Sequence, residues 1–148
     1  MNTTDNGGPP GRAKTILVAD DETHILNVVS LKLRNAGFRV LTAADGQEGL
    51  ELAQQELPDL IITDYHMPML SGLEMCRRLR QDPRTGSIPA IMLTARGYHL
   101  EPRDTEESGI KLMLSKPFSP RQLLATVHDF IGLGSGVLAV EKANGAAA

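Results

Sequence analysis

The chain has 148 residues, 41% of them hydrophobic and 22% charged, with a formal net charge of −3. That is the size and composition of one globular domain, which buries roughly 68–70% of its unfolded surface. The weakly acidic balance gives no electrostatic reason to expect direct contact with nucleic acid or an anionic membrane, and no apolar run nears the ~20 residues of a membrane span.

Residues 1–13 contain Gly7-Gly8-Pro9-Pro10-Gly11 and predict a flexible leader. The leader lacks the apolar core and basic flank of a signal peptide. Cys76 is the lone cysteine, so no internal disulfide can form, and a cytoplasmic location fits. Ile16-Leu17-Val18-Ala19 is a continuous apolar run, which suits a strand buried on both faces, and it ends in Asp20-Asp21. The stripe Ile25, Val29, Leu33 predicts a first helix stopped at Gly37. Asp45-Gly46-Gln47-Glu48 places a capping side chain three residues before Glu and opens a second helix, stopped by Pro58.

The next buried run, Leu60-Ile61-Ile62-Thr63, ends in Asp64. Ser71-Gly72-Leu73-Glu74 opens a third helix, stopped by Pro83. Ala90-Ile91-Met92-Leu93 ends in Thr94. Residues 97–108 offer Leu100 and little else apolar, with Pro102 near the start, and predict a short or frayed fourth helix. Leu112-Met113-Leu114-Ser115 ends in Lys116-Pro117. Ser119-Pro120-Arg121-Gln122 then opens a fifth helix with the stripe Leu123, Val127, Phe130, Ile131, stopped at Gly132. Residues 132–148 predict a flexible tail, so one domain spans 14–131.

A five-fold strand–helix alternation makes an α/β fold: a five-stranded parallel sheet, order 2-1-3-4-5, doubly wound with five helices, flavodoxin-like. Ligands of such sheets bind beyond the carboxyl ends of the strands at the topological switch. Asp20, Asp21, Asp64, Thr94 and Lys116 all fall at that edge. Two unit charges ~4 Å apart at an effective dielectric of ~20 interact by about 4 kcal/mol. Three carboxylates there need compensation, in part from Lys116 and in part from a hard divalent cation, Mg²⁺. Structural zinc is disfavoured, because no Cys/His pair has the usual spacing.

Phosphoryl transfer needs positioning and charge neutralisation, and a carboxylate can itself be the nucleophile. Asp64 is the candidate nucleophile, on the strand nearest the middle of the sheet. Asp20 and Asp21 would hold the metal, Lys116 would neutralise one phosphoryl oxygen, and the Thr94 hydroxyl would bond another. Taken singly, each residue has a plainer reading as a helix cap, a turn residue or a solvated charge. Their convergence on one edge favours the functional reading.

The runs Leu17-Val18-Ala19-Asp20-Asp21-Glu22, Leu60-Ile61-Ile62-Thr63-Asp64-Tyr65-His66-Met67-Pro68, Met92-Leu93-Thr94-Ala95-Arg96 and Leu114-Ser115-Lys116-Pro117-Phe118 resemble the receiver domain of bacterial two-component response regulators. The resemblance spans residues 14–131. It implies that Asp64 accepts phosphate from a phosphohistidine on a sensor histidine kinase or histidine phosphotransfer protein. It also implies Mg²⁺ ligation by Asp21, Asp64 and the backbone carbonyl of His66, with Asp20 acting largely through water. Thr94 and Lys116 would contact the phosphoryl group, Lys116-Pro117 would be cis, and Ala95 would leave room for the donor. The stretch before the lysine departs from the family pattern: Met113 stands where Tyr or Phe is usual, and Gly109-Ile110-Lys111 replaces Gly-Ala-Asp. With Thr94, Met113 would form the switch, coupled more loosely than an aromatic.

The leading expectation is a stand-alone phosphoacceptor, monomer or weak dimer. It is not an enzyme beyond its own phosphorylation and dephosphorylation. About 17 residues follow Ile131, fewer than a DNA-binding domain needs, so output would go to a downstream protein target through the fourth helix, fifth strand and fifth helix. A Mg²⁺-dependent phosphatase would need a second acid two residues after Asp64, where His66 stands; a binding module with a silent site fits the acid cluster poorly. His66 reads either as an exposed loop residue or as a group that sets dephosphorylation rate. His24, His99 and His128 share no ligand spacing and read as surface or helix-face residues. The scattered methionines read as core filling, Cys76 as a buried thiol, and Arg77, Arg78 and Arg80 as a solvated helix face.

Overall fold

The computed structural model describes residues 13–95 and 100–131. Most of the predicted leader, Arg96, the segment 97–99 with His99, and the tail from Gly132 lie outside the described residues. The element order is β1 (Thr15–Ala19), α1 (Thr23–Asn35), β2 (Arg39–Ala43), α2 (Gly46–Glu56), β3 (Leu60–Asp64), α3 (Gly72–Gln81), β4 (Ala90–Thr94), α4 (Pro102–Ser108), β5 (Ile110–Ser115) and α5 (Pro120–Ile131). All the strands pair in parallel, in the order β2-β1-β3-β4-β5. This is the predicted doubly wound sheet.

Alternation along each buried strand builds two cores. Ile16, Val18, Leu60, Ile62, Ile91 and Leu93 face Val29 and Leu33 of α1 and Leu123 and Val127 of α5. Leu17, Ala19, Ile61 and Met92 face Leu50 and Ala53 of α2 and Met75, Cys76 and Leu79 of α3. Every residue of β1, β3 and β4 is buried, which is why those runs read as continuously apolar. The edge strand β2 is only partly covered, so its sequence Arg39-Val40-Leu41-Thr42-Ala43 carries no such run.

The helix starts follow the capping signals. Asp45 accepts from the Glu48 N–H at 2.8 Å, while Glu48 reaches back to the Ala44 N–H at 2.9 Å. Ser71 accepts from the Glu74 N–H, and Ser119 from those of Arg121 and Gln122. Gly37, at φ +99°, follows α1, as predicted. The fourth helix is short, as its composition implies, with Pro102 in its first turn and Gly109 at φ +74° after it.

Two sequence expectations fail. Arg77 is half-buried, not a member of a solvated face: its guanidinium reaches Asp104 at 2.5 Å and Glu107 and Glu74 at 3.5 Å, tying α3 to α4. Arg78 and Arg80 do stay exposed. Among the methionines, Met75 and Met92 fill the core, but Met69 is 78% exposed at φ +72°. Cys76 is buried, and desolvation pushes its thiol up to about 12. Seven-residue α4 buries only Ser108, so its attachment leans on Arg77. Arg77→Met is expected to speed amide exchange across α4 roughly fivefold, with β1 and β3 unaffected. Unchanged exchange in α4 would show that the Arg77 pairs add nothing to its docking.

Candidate functional site

Parallel pairing puts the ends of β1, β3, β4 and β5 on one rim. Asp20 follows β1, and its N–H donates to the Ala43 carbonyl, which fixes its backbone. Asp64 ends β3, Thr94 ends β4, and Lys116 follows β5. The register pairs Asp64 with Leu93 and Thr94 with Ser115, so each side chain sits about one step from its neighbour.

The loop after β3 is held hard against Asp64. A Cβ on Gly72 would lie 2.1 Å from the Asp64 carbonyl oxygen, and the Gly72 N–H donates to the Tyr65 carbonyl at 2.8 Å. Only glycine lets α3 begin so close to the candidate nucleophile. Gly46 similarly admits the Leu70 carbonyl, whose oxygen would be 1.9 Å from a Cβ.

Asp20, Asp21 and Asp64 offer carboxylate oxygens that all lie within 4.8 Å of one another. Asp20 is 0% and Asp64 8% exposed, whereas Asp21 faces solvent. The Lys116 ammonium contacts Glu22 at 2.7 Å, Asp20 at 3.0 Å and Asp64 at 3.4 Å. Burial pushes the Asp64 carboxyl above its ordinary range, the Asp20 charge pushes it further, and Lys116 only partly offsets both. Burial also raises Asp20, against the Glu22 N–H and Lys116. Desolvation opposes the Lys116 charge, but its bonds to Glu22 and Asp20 outweigh this and hold it above the usual lysine range. Two buried carboxylates and a third at the rim form an all-oxygen donor set, which fits a hard divalent cation and not a thiol- or imidazole-seeking one.

The structure thus joins Asp20, Asp21, Asp64 and Lys116 directly. Thr94 is buried beside them, and its carbonyl accepts from the Lys116 N–H at 2.8 Å. The Lys116-Pro117 peptide is cis, as the resemblance implied. His66 is exposed, its ring edge-on to Tyr65 at 4.5 Å. Met113 lies within β5 opposite Met92 and packs into the α2–α3 core, away from the acidic rim. His24 is exposed, and His128 on α5 lies tilted against Phe38 at 5.6 Å.

Sequence reasoning missed two features. Glu22 makes the shortest contact to Lys116; the third acid of Asp20-Asp21-Glu22 was its signal. Beside the acids runs a cleft of about 760 Å³, walled by Ile25, Val28 and Val29 of α1 and by Phe118, with Asp64 and Lys116 on its lining. The half-buried face of α1 and the Phe after Pro117 were its traces.

Comparison with known proteins agrees with this geometry. The chain is 41% identical over 118 residues to the alkaline phosphatase synthesis transcriptional regulatory protein PhoP of Bacillus subtilis, covering 80% of this chain and 48% of that protein. It is 43% identical over 116 residues to the DNA-binding dual master transcriptional regulator RpaA of Synechocystis, covering 78% and 48%. It therefore spans about half the length of these relatives. Because one is named as DNA-binding, the expectation of no direct nucleic-acid partner finds no support. The fold overlays the chemotaxis response regulator CheY4 of Vibrio cholerae with TM-score 0.74 at 34% identity, covering 80% of this chain and 99% of that one. It overlays the receiver domain of the sensor histidine kinase PA1611 of Pseudomonas aeruginosa, solved with magnesium in its active-site cleft, with TM-score 0.73 at 28% identity, covering 82% and 100%. Residues 16–128 match the response regulator receiver domain, and the chain belongs to that family.

Proposed function

We propose that this receiver accepts a phosphoryl group on Asp64 from a phosphohistidine of a sensor histidine kinase or histidine phosphotransfer protein, in a Mg²⁺-dependent reaction. The carrying observation is the cluster of Asp20, Asp21 and Asp64 oxygens within 4.8 Å, with the Lys116 ammonium 3.4 Å from Asp64. Receiver domains bind Mg²⁺ at an acidic site and accept phosphoryl groups from histidine kinases. Here Asp21, Asp64 and the His66 carbonyl would hold the ion, with Asp20 acting through water. Bound there, Mg²⁺ supplies charge neutralisation for the phosphoryl oxygens.

In this reading an Asp64 oxygen bonds to phosphorus while the P–N bond breaks. Its electron pair returns to the imidazole, which leaves neutral if already protonated at its other nitrogen. Lys116 and the Thr94 hydroxyl then hold phosphoryl oxygens. In dephosphorylation a water oxygen attacks phosphorus, the P–O bond to Asp64 breaks and the carboxylate is regenerated, with one proton lost to solvent. No other substrate is turned over. The apolar cleft along α1 gives a partner helix a seat beside Asp64. Output runs through the face of α4, β5 and α5 to a protein target, and Met113, with Thr94, relays the change loosely because it lacks an aromatic ring.

Three outcomes test this reading. Asp64→Asn removes a desolvated carboxylate from beside Asp20, so the metal-free variant is expected to melt a few degrees higher than wild type. Mg²⁺ is expected to raise the Tm of wild type more than that of the variant. With acetyl phosphate and Mg²⁺, mass spectrometry is expected to find one phosphoryl adduct per wild-type chain and none on the variant. Multiple turnover without an adduct, or an adduct elsewhere, would overturn the assignment.

Beryllofluoride with Mg²⁺ is expected to produce broad exchange for residues 100–115 in NMR spectra. A sharp change confined to Thr94 and Met113 would refute the loose relay.

A further inference from the structure

An ammonium has three N–H donors, and Lys116 faces three carboxylates. The shortest contact, 2.7 Å, goes to Glu22, whose side chain is 59% exposed; the longest, 3.4 Å, goes to Asp64. Glu22 is also tied to the same group from its other end, since its N–H donates to Asp20 Oδ1 at 2.9 Å while Lys116 donates to Asp20 Oδ2 at 3.0 Å. Asp20, Glu22 and Lys116 therefore close a ring.

Glu22 sits at the N-cap of α1, yet its side chain makes no capping bond. A side chain that accepts from the free N–H groups there is the usual arrangement. The Glu22 carboxylate instead turns back across the rim to residue 116. A phosphoryl group on Asp64 needs at least one ammonium donor. The bond to Asp20 is buried and would leave a desolvated carboxylate behind. The bond to Glu22 can be exchanged for water at little cost, because Glu22 already faces solvent.

We propose that Glu22 is a positioning residue that parks the Lys116 ammonium before phosphorylation and releases it to the incoming phosphoryl group, so that it limits the rate of uptake. The proposal rests on Asp64 as the acceptor. With acetyl phosphate the step is attack of the Asp64 carboxylate on phosphorus. The bond from phosphorus to the acetyl oxygen breaks, and acetate leaves with the electron pair. Lys116 transfers no proton; it changes hydrogen-bond partner.

The test compares wild type with Glu22→Gln and Glu22→Asp at saturating Mg²⁺, following the adduct by mass spectrometry across acetyl phosphate concentrations. Losing an exposed pair corresponds to about a two- to fivefold faster maximal rate in Glu22→Gln, with the half-saturating concentration unchanged. Glu22→Asp keeps the charge but shortens the reach, and is expected to show the same gain. Both gains should shrink in high salt, which weakens the exposed Glu22–Lys116 pair in wild type. Equal or slower uptake in Glu22→Gln, or wild-type behaviour in Glu22→Asp, overturns the proposal while leaving Asp64 as acceptor. Absence of any adduct on wild type overturns both.

Discussion

Three carboxylates are held within 4.8 Å of one another against their mutual repulsion, two of them largely stripped of water. No local sequence preference produces such an arrangement. It is imposed by tertiary structure: β1 and β3 are fixed by ladders on both sides and by side chains buried on both faces, so neither strand can retreat. Among the described residues, the cation that meets this set is Lys116, and it arrives from two strands away. The sheet thus holds an unfavourable charge arrangement that a hard divalent cation would relieve, which is the physical reason the rim reads as a metal site.

The same sheet explains why so much was legible in the sequence. A strand buried on both faces must be apolar throughout, so Ile16-Leu17-Val18-Ala19 and Leu60-Ile61-Ile62 announce themselves, and in a parallel sheet the residues just past each run share one rim. The caps at Asp45, Ser71 and Ser119 are equally local, each a side chain meeting an N–H two or three residues on. Asp20, Asp64, Thr94 and Lys116 were legible because they inherit their places from those runs.

The features that were not legible depend on distance along the chain. Arg77 meets Asp104 across 27 residues, and nothing in Arg77-Arg78-Leu79-Arg80 marks which arginine turns toward α4. The packing angle of two helices decides that. Glu22 looks like an ordinary acid at a helix start, and its bond to Lys116 spans 94 residues. Met69 lies at φ +72° in the loop between Asp64 and Gly72 and faces solvent, and nothing in the run Met67-Pro68-Met69 marks which methionine does so.

The last two strands join the acidic rim to the edge of the sheet. The Thr94 carbonyl accepts the Lys116 N–H, so the residues proposed to hold phosphoryl oxygens share a main-chain bond. One end of that bond lies on β4, buried along its whole length; the other lies just past β5, which pairs on one side only. A shift at Thr94 finds little room among Ile91, Met92 and Leu93, all fully buried. Displacement is therefore easier along β5, where Leu112 and Met113 are only half-covered and Lys111 faces solvent. Edge strands commonly carry a lysine because it discourages pairing with another chain. Lys111 stands exposed on this edge strand. On the proposed reading, the phosphoryl chemistry would sit in the rigid middle of the sheet and its readout at this edge.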